Sequence, residues 1–252
     1  MPAKVCPEPL VIITRPLPEA LRTQRHFEKA GFGTLIAPLG RVEKYKPVWP
    51  DNLGKISRFI ITSPRAVSSI PKGKIKPGAK FYVVGDKTAH ALKDKGFDCS
   101  ICVTPDIDRL IGEIRNDYLE KSQDISGVSD KIIYLRGKNI TTDIKTALNI
   151  KGLDIQEIVT YEVVFDQKPG PDFDKAIHSG RQCVITVFSK RTAHALASYL
   201  EKSHAPDIKI LTLSKRISVT LEKQGVKECF HAPVPNEAAM IDKLRLMYEK
   251  KI

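Results

Sequence analysis

Short turns rich in basic or hydroxyl side chains recur along this chain. They are Thr14-Arg15, Thr62-Ser63-Pro64-Arg65, Gly85-Asp86-Lys87-Thr88, Arg136-Gly137-Lys138, Ser189-Lys190-Arg191 and Ser214-Lys215-Arg216. Each follows a run of apolar, often β-branched residues that reads as a strand, and most open a segment of helical character. Their chemistry is anion binding. The first turn of a helix offers unpaired N–H groups and the positive end of its dipole, the hydroxyls add donors, and Lys or Arg adds charge. None is a nucleotide loop, because both G-x-x-x-x-G-K-[ST] and G-x-G-x-x-G are absent. As a set, the turns suit a ligand that carries many carboxylates or phosphates.

Two other patterns invite chemistry. TAHAL occurs twice, behind Lys87 and behind Arg191, and places His90 and His194 in matching contexts. Thr is a plausible N-cap there, and Ala-His-Ala-Leu continues a helix, so both histidines read as ordinary helix-face residues. Cys99-Ser-Ile-Cys102 has the CxxC spacing of a redox or zinc site, but it lies in an apolar strand, opens no helix and has no second ligand pair. Both cysteines read as core residues. The other three, Cys6, Cys183 and Cys229, are scattered, which suits a reducing compartment rather than a disulfide framework.

The elements that must position the turns alternate. Strands are expected at 10–14, 34–38, 58–62, 80–84, 99–103, 131–135, 155–165, 183–188, 208–213 and 227–232. Helices are expected near 18–30, 64–69, 87–95, 107–121, 141–150, 172–179, 190–202, 215–224 and 236–250. Strands apolar along their whole length, with helices between, point to parallel sheets covered on both faces. The class is α/β. The pattern is also duplicated: Arg15 to Gly31 repeats as Arg136 to Gly152, and Gly85 to Gly96 repeats as Ser214 to Gly225. The chain therefore reads A–B–A′–B′. In this register the two TAHAL segments follow different strands of their copies and are not repeat partners.

Composition sets the outer bounds. The 252 residues are 42% hydrophobic and 28% charged, and 41 Lys and Arg against 29 Asp and Glu give a formal charge of +12. That favours an anionic partner, although much of the lysine reads as solvated helix surface. No apolar run is long enough for a membrane span, and the N-terminal apolar stretch is too short and proline-broken for a signal peptide. The expected compartment is the cytoplasm.

The ordered motifs VIITRP, AGFGTLIAPL, FIITSPRAV, FYVVGDKTAHALKDKGF, IIYLRGK, GLDIQEIVTYE, VFSKRTA and KQG resemble the uroporphyrinogen-III synthase family over nearly the whole chain. TSPxAV followed by VGxxTAxALxxxG is the most specific pair. The resemblance implies two similar α/β domains, each a parallel sheet flanked by helices. It places residues 1–37 with 168–252 in a discontinuous first domain and 46–159 in a second, with 38–45 and 160–167 as a two-stranded linker. The implied reaction closes hydroxymethylbilane into uroporphyrinogen III in the cleft between domains, with loss of water and inversion of ring D. The substrate carries acetate and propionate on its rings, the polyanion that the turns suit.

The resemblance further implies that Tyr161, in VTYE, assists departure of the hydroxyl, and that no metal or organic cofactor takes part. Arg15, Thr62, Ser63, Arg65, Gly85, Lys87, Thr88, Arg136, Gly137, Lys138, Ser189, Lys190, Arg191, Ser214, Lys215 and Arg216 are then substrate-binding candidates, and Arg15 has bracing of its domain as a second reading. It also implies a monomer that receives the bilane from hydroxymethylbilane synthase, with no nucleic-acid or membrane partner. Where the family often has a Gly-x-Thr-Thr-like turn, this chain has Ser214-Lys215-Arg216-Ile217, so hydroxyl contacts there give way to charge. A basic module that binds nucleic acid or a small anion without catalysis is the rival reading.

Overall fold

The computed structural model describes residues 8–121, 130–150, 153–165, 168–203 and 208–248. In chain order the elements are β1 (Leu10–Ile13), α1 (Glu19–Lys29), β2 (Thr34–Ile36), β3 (Arg41–Lys44), β4 (Arg58–Ile61), α2 (Pro64–Val67), β5 (Ala79–Val84), α3 (Asp86–Asp94), β6 (Cys99–Thr104) and α4 (Ile107–Lys121). They continue with β7 (Asp130–Gly137), α5 (Ile144–Leu148), β8 (Leu153–Val164), α6 (Pro171–His178), β9 (Cys183–Val187), α7 (Lys190–Ser203), β10 (Lys209–Thr212), α8 (Lys215–Glu222), β11 (Cys229–His231) and α9 (Glu237–Tyr248). They form two compact units. One holds the described residues up to Val42 and from Val163 onward, and the other holds Glu43–Glu162.

The first unit carries a five-stranded sheet in the order β11-β10-β9-β1-β2, with parallel neighbours throughout. Alternate residues of β1 serve opposite layers. Ile12 packs with Phe173, Ile185 and Leu196 on one face, while Val11 and Ile13 pack with Phe27, Met240 and Leu244 on the other. Burial on both faces is why these strands are apolar at every position rather than at every second one.

The second unit carries a six-stranded sheet in the order β3-β8-β7-β4-β5-β6. Phe59 and Ile61 of β4 face one core, where Phe59 stacks on Phe81 at 4.8 Å between ring centres. Ile60 faces the other core with Tyr82, Leu110 and Tyr134. Each such side chain contributes about 1.5–3 kcal/mol by leaving water. Cys99 and Cys102 fall into these two different clusters, on opposite faces of the sheet, as a strand spacing of three requires. Burial pushes both thiols up, and both are free. They are partly buried residues packed against the two cores.

The expected duplication is present in the topology. Leaving aside the edge strand β3, the sheets run β2-β1-β9-β10-β11 and β8-β7-β4-β5-β6, so A pairs with B′ in one unit and B with A′ in the other. Gly96 and Gly225, matched by the repeat, both take the left-handed backbone, at φ 72° and 85°. Their counterparts eleven residues earlier differ. Gly85 caps α3 at φ 76°, whereas Ser214 caps α8 at φ −157°, extended backbone that any residue adopts. The departure from glycine at Ser214 thus has a backbone reason.

Some details differ from the sequence expectation. Thr88 and Thr192 are not N-caps but third residues of their helices, behind the caps Gly85 and Ser189. Helix α5 is shorter than 141–150, because Asp143 caps its start and Asn149, at φ 30°, ends it. Helix α2 is a single turn, stopped after Val67. Lys95 closes its far end by donating to the carbonyls of Val67, Ser68 and Ile70 at 2.8, 2.9 and 2.7 Å.

Candidate active site

In the second unit, the carboxyl edge of the sheet is organised by an irregularity between β7 and β8. Arg136 pairs with Val159 but Gly137 pairs with Tyr161, so the register slips by one residue between Arg136 and Gly137. A bulge re-aims the side chain beside it. Lys138 N–H donates to the Tyr161 carbonyl at 2.8 Å, and the Thr160 hydroxyl donates to the Arg136 carbonyl at 3.2 Å, which fixes both sides of the slip. The ring of Tyr161 lies against Gly137, half-buried, with the Arg65 guanidinium 5.9 Å from its centre.

The turn after β7 is braced from inside. Arg136 pairs with Glu157 at 2.9 Å and donates to the carbonyls of Gly137 and Lys138 at 3.0 and 3.1 Å. Its guanidinium is thereby engaged within the protein. Lys138 is exposed and pairs with Glu162 at 3.0 Å, and the Tyr45 hydroxyl donates to the same carboxylate at 2.6 Å. The bond from Tyr45, then the bond from Lys138, hold the Glu162 carboxyl below its ordinary value. The bond to Glu162 in turn raises Tyr45 and Lys138. Tyr45 carries no motif of its own, and only its pairing beside β8, where its N–H donates to the Thr160 carbonyl at 2.9 Å, brings it to this turn.

The neighbouring turns divide into spent and outward-facing groups. Ser63 caps α2, accepting from Arg65 N–H at 3.4 Å, and Thr62 stands 3.4 Å from the Tyr134 hydroxyl. Thr88 is buried, and its hydroxyl donates to the Val84 carbonyl at 2.8 Å, so it stabilises its own turn. Lys87 is exposed beside it, and Gly85 leaves open space above its α-carbon.

The first unit repeats the plan with different side chains. Arg15 donates to Glu237 at 2.8 Å and to Thr23 at 3.1 Å, with its guanidinium 4.4 Å from the centre of the Phe188 ring. Arg22 and His26 meet the same Glu237 carboxylate at 3.3 and 2.5 Å. Arg15 therefore ties the end of β1 to the start of α9. Ser189 accepts from Thr192 N–H at 3.1 Å, while Lys190, Lys215 and Arg216 are exposed and Ser214 is half-buried. Arg191 lies 4.8 Å from the centre of the Phe165 ring, which packs on Gly40. His90 and His194 are exposed helix-face residues, and His194 meets Gln224.

Phe165 and Gly40 were not marked by sequence. The repeat that matches Arg15 with Arg136 also matches Gly40 with Tyr161, so the signal was there but pointed to a glycine.

The chemistry available is therefore a phenol at a strand end, guanidinium groups over aromatic rings, and N–H, hydroxyl and ammonium donors. Among the described residues, no group of three or more His, Cys, Asp or Glu could hold a metal ion. Among them, too, no helix is long and apolar enough to cross a membrane. Donors of these kinds suit carboxylates, and a phenol can hand a proton to a leaving oxygen.

Comparison with known proteins identifies the family. The family model described as Uroporphyrinogen-III synthase HemD matches residues 22–242. A Saccharomyces cerevisiae protein named uroporphyrinogen-III synthase is 24% identical over 226 residues, 80% of each chain. The crystal structure of uroporphyrinogen-III synthetase from Helicobacter pylori superposes with a TM-score of 0.62 at 20% identity, covering 95% of this chain and 99% of that one. A mutant uroporphyrinogen III synthase from Thermus thermophilus gives 0.52 at 16% identity, covering 96% and 100%. At these identities, the two structures speak to the fold alone.

Proposed function

The chain belongs to the uroporphyrinogen-III synthase family, and from that premise we propose that Tyr161 is the proton donor of the reaction and that the carboxyl-edge turns of each unit hold the substrate's carboxylates. The activity is that of a cyclising lyase of haem biosynthesis. Hydroxymethylbilane loses its terminal hydroxyl as water, and the exposed carbon bonds to the last pyrrole ring at the carbon that already bears its chain. The spiro intermediate so formed reopens and closes with that ring inverted. In this reading Tyr161 donates to the departing oxygen, the new carbon–carbon bond replaces the carbon–oxygen bond that breaks, and the proton that the last ring's free α-carbon sheds on reclosure restores the phenol.

The observation that carries the reading is the family match over residues 22–242, joined to the position of Tyr161 at the β7–β8 slip beside Gly137 and Arg65. Most of the remaining catalysis is orientation. Holding a flexible bilane so that its reactive carbon meets the substituted position contributes several kcal/mol in systems of this kind. Lys87, Lys138, Lys190, Arg191, Lys215 and Arg216 are exposed cations at strand ends and supply charge for the acetates and propionates. Arg15 and Arg136 are engaged inside their units, and we read them as braces of the turns that the substrate meets. We read the enzyme as a cytoplasmic monomer supplied by hydroxymethylbilane synthase.

A polyanion-binding module without catalysis, the other reading that the sequence allows, is not favoured by the family match. The test is product composition. Hydroxymethylbilane closes by itself to the symmetric isomer I. When it is generated in place by a purified deaminase, addition of this chain is expected to shift the oxidised product to isomer III. Persistence of isomer I with folded protein would leave only a binding role.

A further inference from the structure

We infer that Gly137 is a positioning residue for Tyr161: its missing side chain is the space in which the phenol is held. The inference rests on the reading of Tyr161 as the proton donor. A Cβ at Gly137 would stand 2.8 Å from Cζ of Tyr161, 3.0 Å from Cε2 and 3.1 Å from the hydroxyl oxygen. All three nearest atoms belong to the phenol end of that ring. Gly137 is not among the glycines with positive φ, so backbone conformation does not require glycine there. Gly40 is a different case, because a Cβ there would also meet the Val164 carbonyl at 2.9 Å.

The backbone around Gly137 has little room to retreat. It is paired with Tyr161 across the slip, and its carbonyl accepts from Arg136 at 3.0 Å. Lys138 N–H holds the Tyr161 carbonyl at 2.8 Å. With both backbones pinned, a methyl group at residue 137 displaces the ring by rotation about its side-chain bonds. The hydroxyl, at the far end of the lever, moves most. A displacement of about 1 Å at a reacting group costs up to roughly 100-fold in rate. Gly137 then acts on the reaction through the ring of Tyr161.

Gly137→Ala is expected to lower kcat for isomer III by about 10- to 100-fold while KM stays within about threefold. It should also lower Tm, and both effects should vanish when it is added to Tyr161→Ala, where no ring remains to displace. If Gly137→Ala alone fails to fold, recovery of a folded protein in the Tyr161→Ala background supports the same contact. Equal losses in both backgrounds would overturn the inference, since the glycine would then serve something other than the ring. Tyr161→Phe separates the two claims. Full activity in that variant overturns the reading of Tyr161 and this inference with it. A slow Tyr161→Phe beside a fully active Gly137→Ala overturns the inference alone.

Discussion

Arg65 and Arg191 occupy the same place in their two units. Each is the second residue of the helix that follows the first strand of a repeat half, and each lies over an aromatic ring, Tyr161 at 5.9 Å and Phe165 at 4.8 Å. A guanidinium near an aromatic face is attracted to it, and a guanidinium is also the group best suited to a carboxylate. Arg65→Met and Arg191→Met are each expected to raise KM about 3- to 10-fold with kcat little changed. The rise should shrink at high ionic strength, where screening weakens the wild-type contact too. An unchanged KM in both variants would remove these arginines from substrate binding.

Tyr161→Phe keeps the ring on Gly137 and removes only the hydroxyl. Turnover to isomer III is expected to fall about 100-fold, within the range for loss of a general acid. Circular dichroism and Tm should stay close to wild type. Initial rates of isomer III formation, corrected for spontaneous isomer I, provide the measurement.

Glu237 collects Arg15, Arg22, Thr23 and His26 on one carboxylate. Burial alone would push its carboxyl up, but the bond from His26, the charges of Arg22 and Arg15 and the Thr23 hydroxyl outweigh it and hold it below the ordinary value. A depressed carboxyl stabilises the fold fully above the unfolded pKa of about 4.3, and the contribution is lost as pH falls through the folded value. Glu237→Gln should therefore cost about 2–3 kcal/mol at pH 7. Denaturant titrations should show the gap from wild type closing below about pH 4. A gap independent of pH would mean that shape, not charge, holds α9.

The two repeat caps give a paired test of backbone strain. Gly85 has φ 76° and ψ 149°, a region essentially restricted to glycine, and its α-carbon faces open space. Gly85→Ala is expected to cost about 1–3 kcal/mol from strain alone. Ser214 is extended and makes no side-chain cap, so Ser214→Ala should change stability by less than about 0.5 kcal/mol. Equal effects at the two sites would argue against the backbone account of the glycine-to-serine difference.

Much of this architecture was legible in sequence, because strands buried on both faces must be apolar throughout, and a run such as Phe59–Ile61 leaves few alternatives. The repeat was legible for the same kind of reason, since Gly96 and Gly225 share a left-handed backbone that few other residues tolerate. The turns were found, but not the use to which each side chain is put. Whether a hydroxyl faces out, or like Thr88 donates back to its own strand, depends on a helix cap shifted by three residues. The slip at Gly137 depends on the pairing of β7 with β8, and Glu237 meets Arg15 only through packing of elements far apart in the chain. No local pattern encodes either.

The place of β1 in its sheet has a consequence for synthesis. Ile12 lies between Leu35 and Ile185, so this interior strand of the first unit's sheet lacks one of its two neighbours until about 170 more residues have left the ribosome. At roughly 5–20 residues per second, that is a wait on the order of ten to thirty seconds. The second unit is continuous in sequence and can close during that interval. Nascent Val11–Ile13, apolar and half-partnered, is therefore the segment most exposed to chaperones, and the order of emergence makes the unit that carries Tyr161 the earlier to mature.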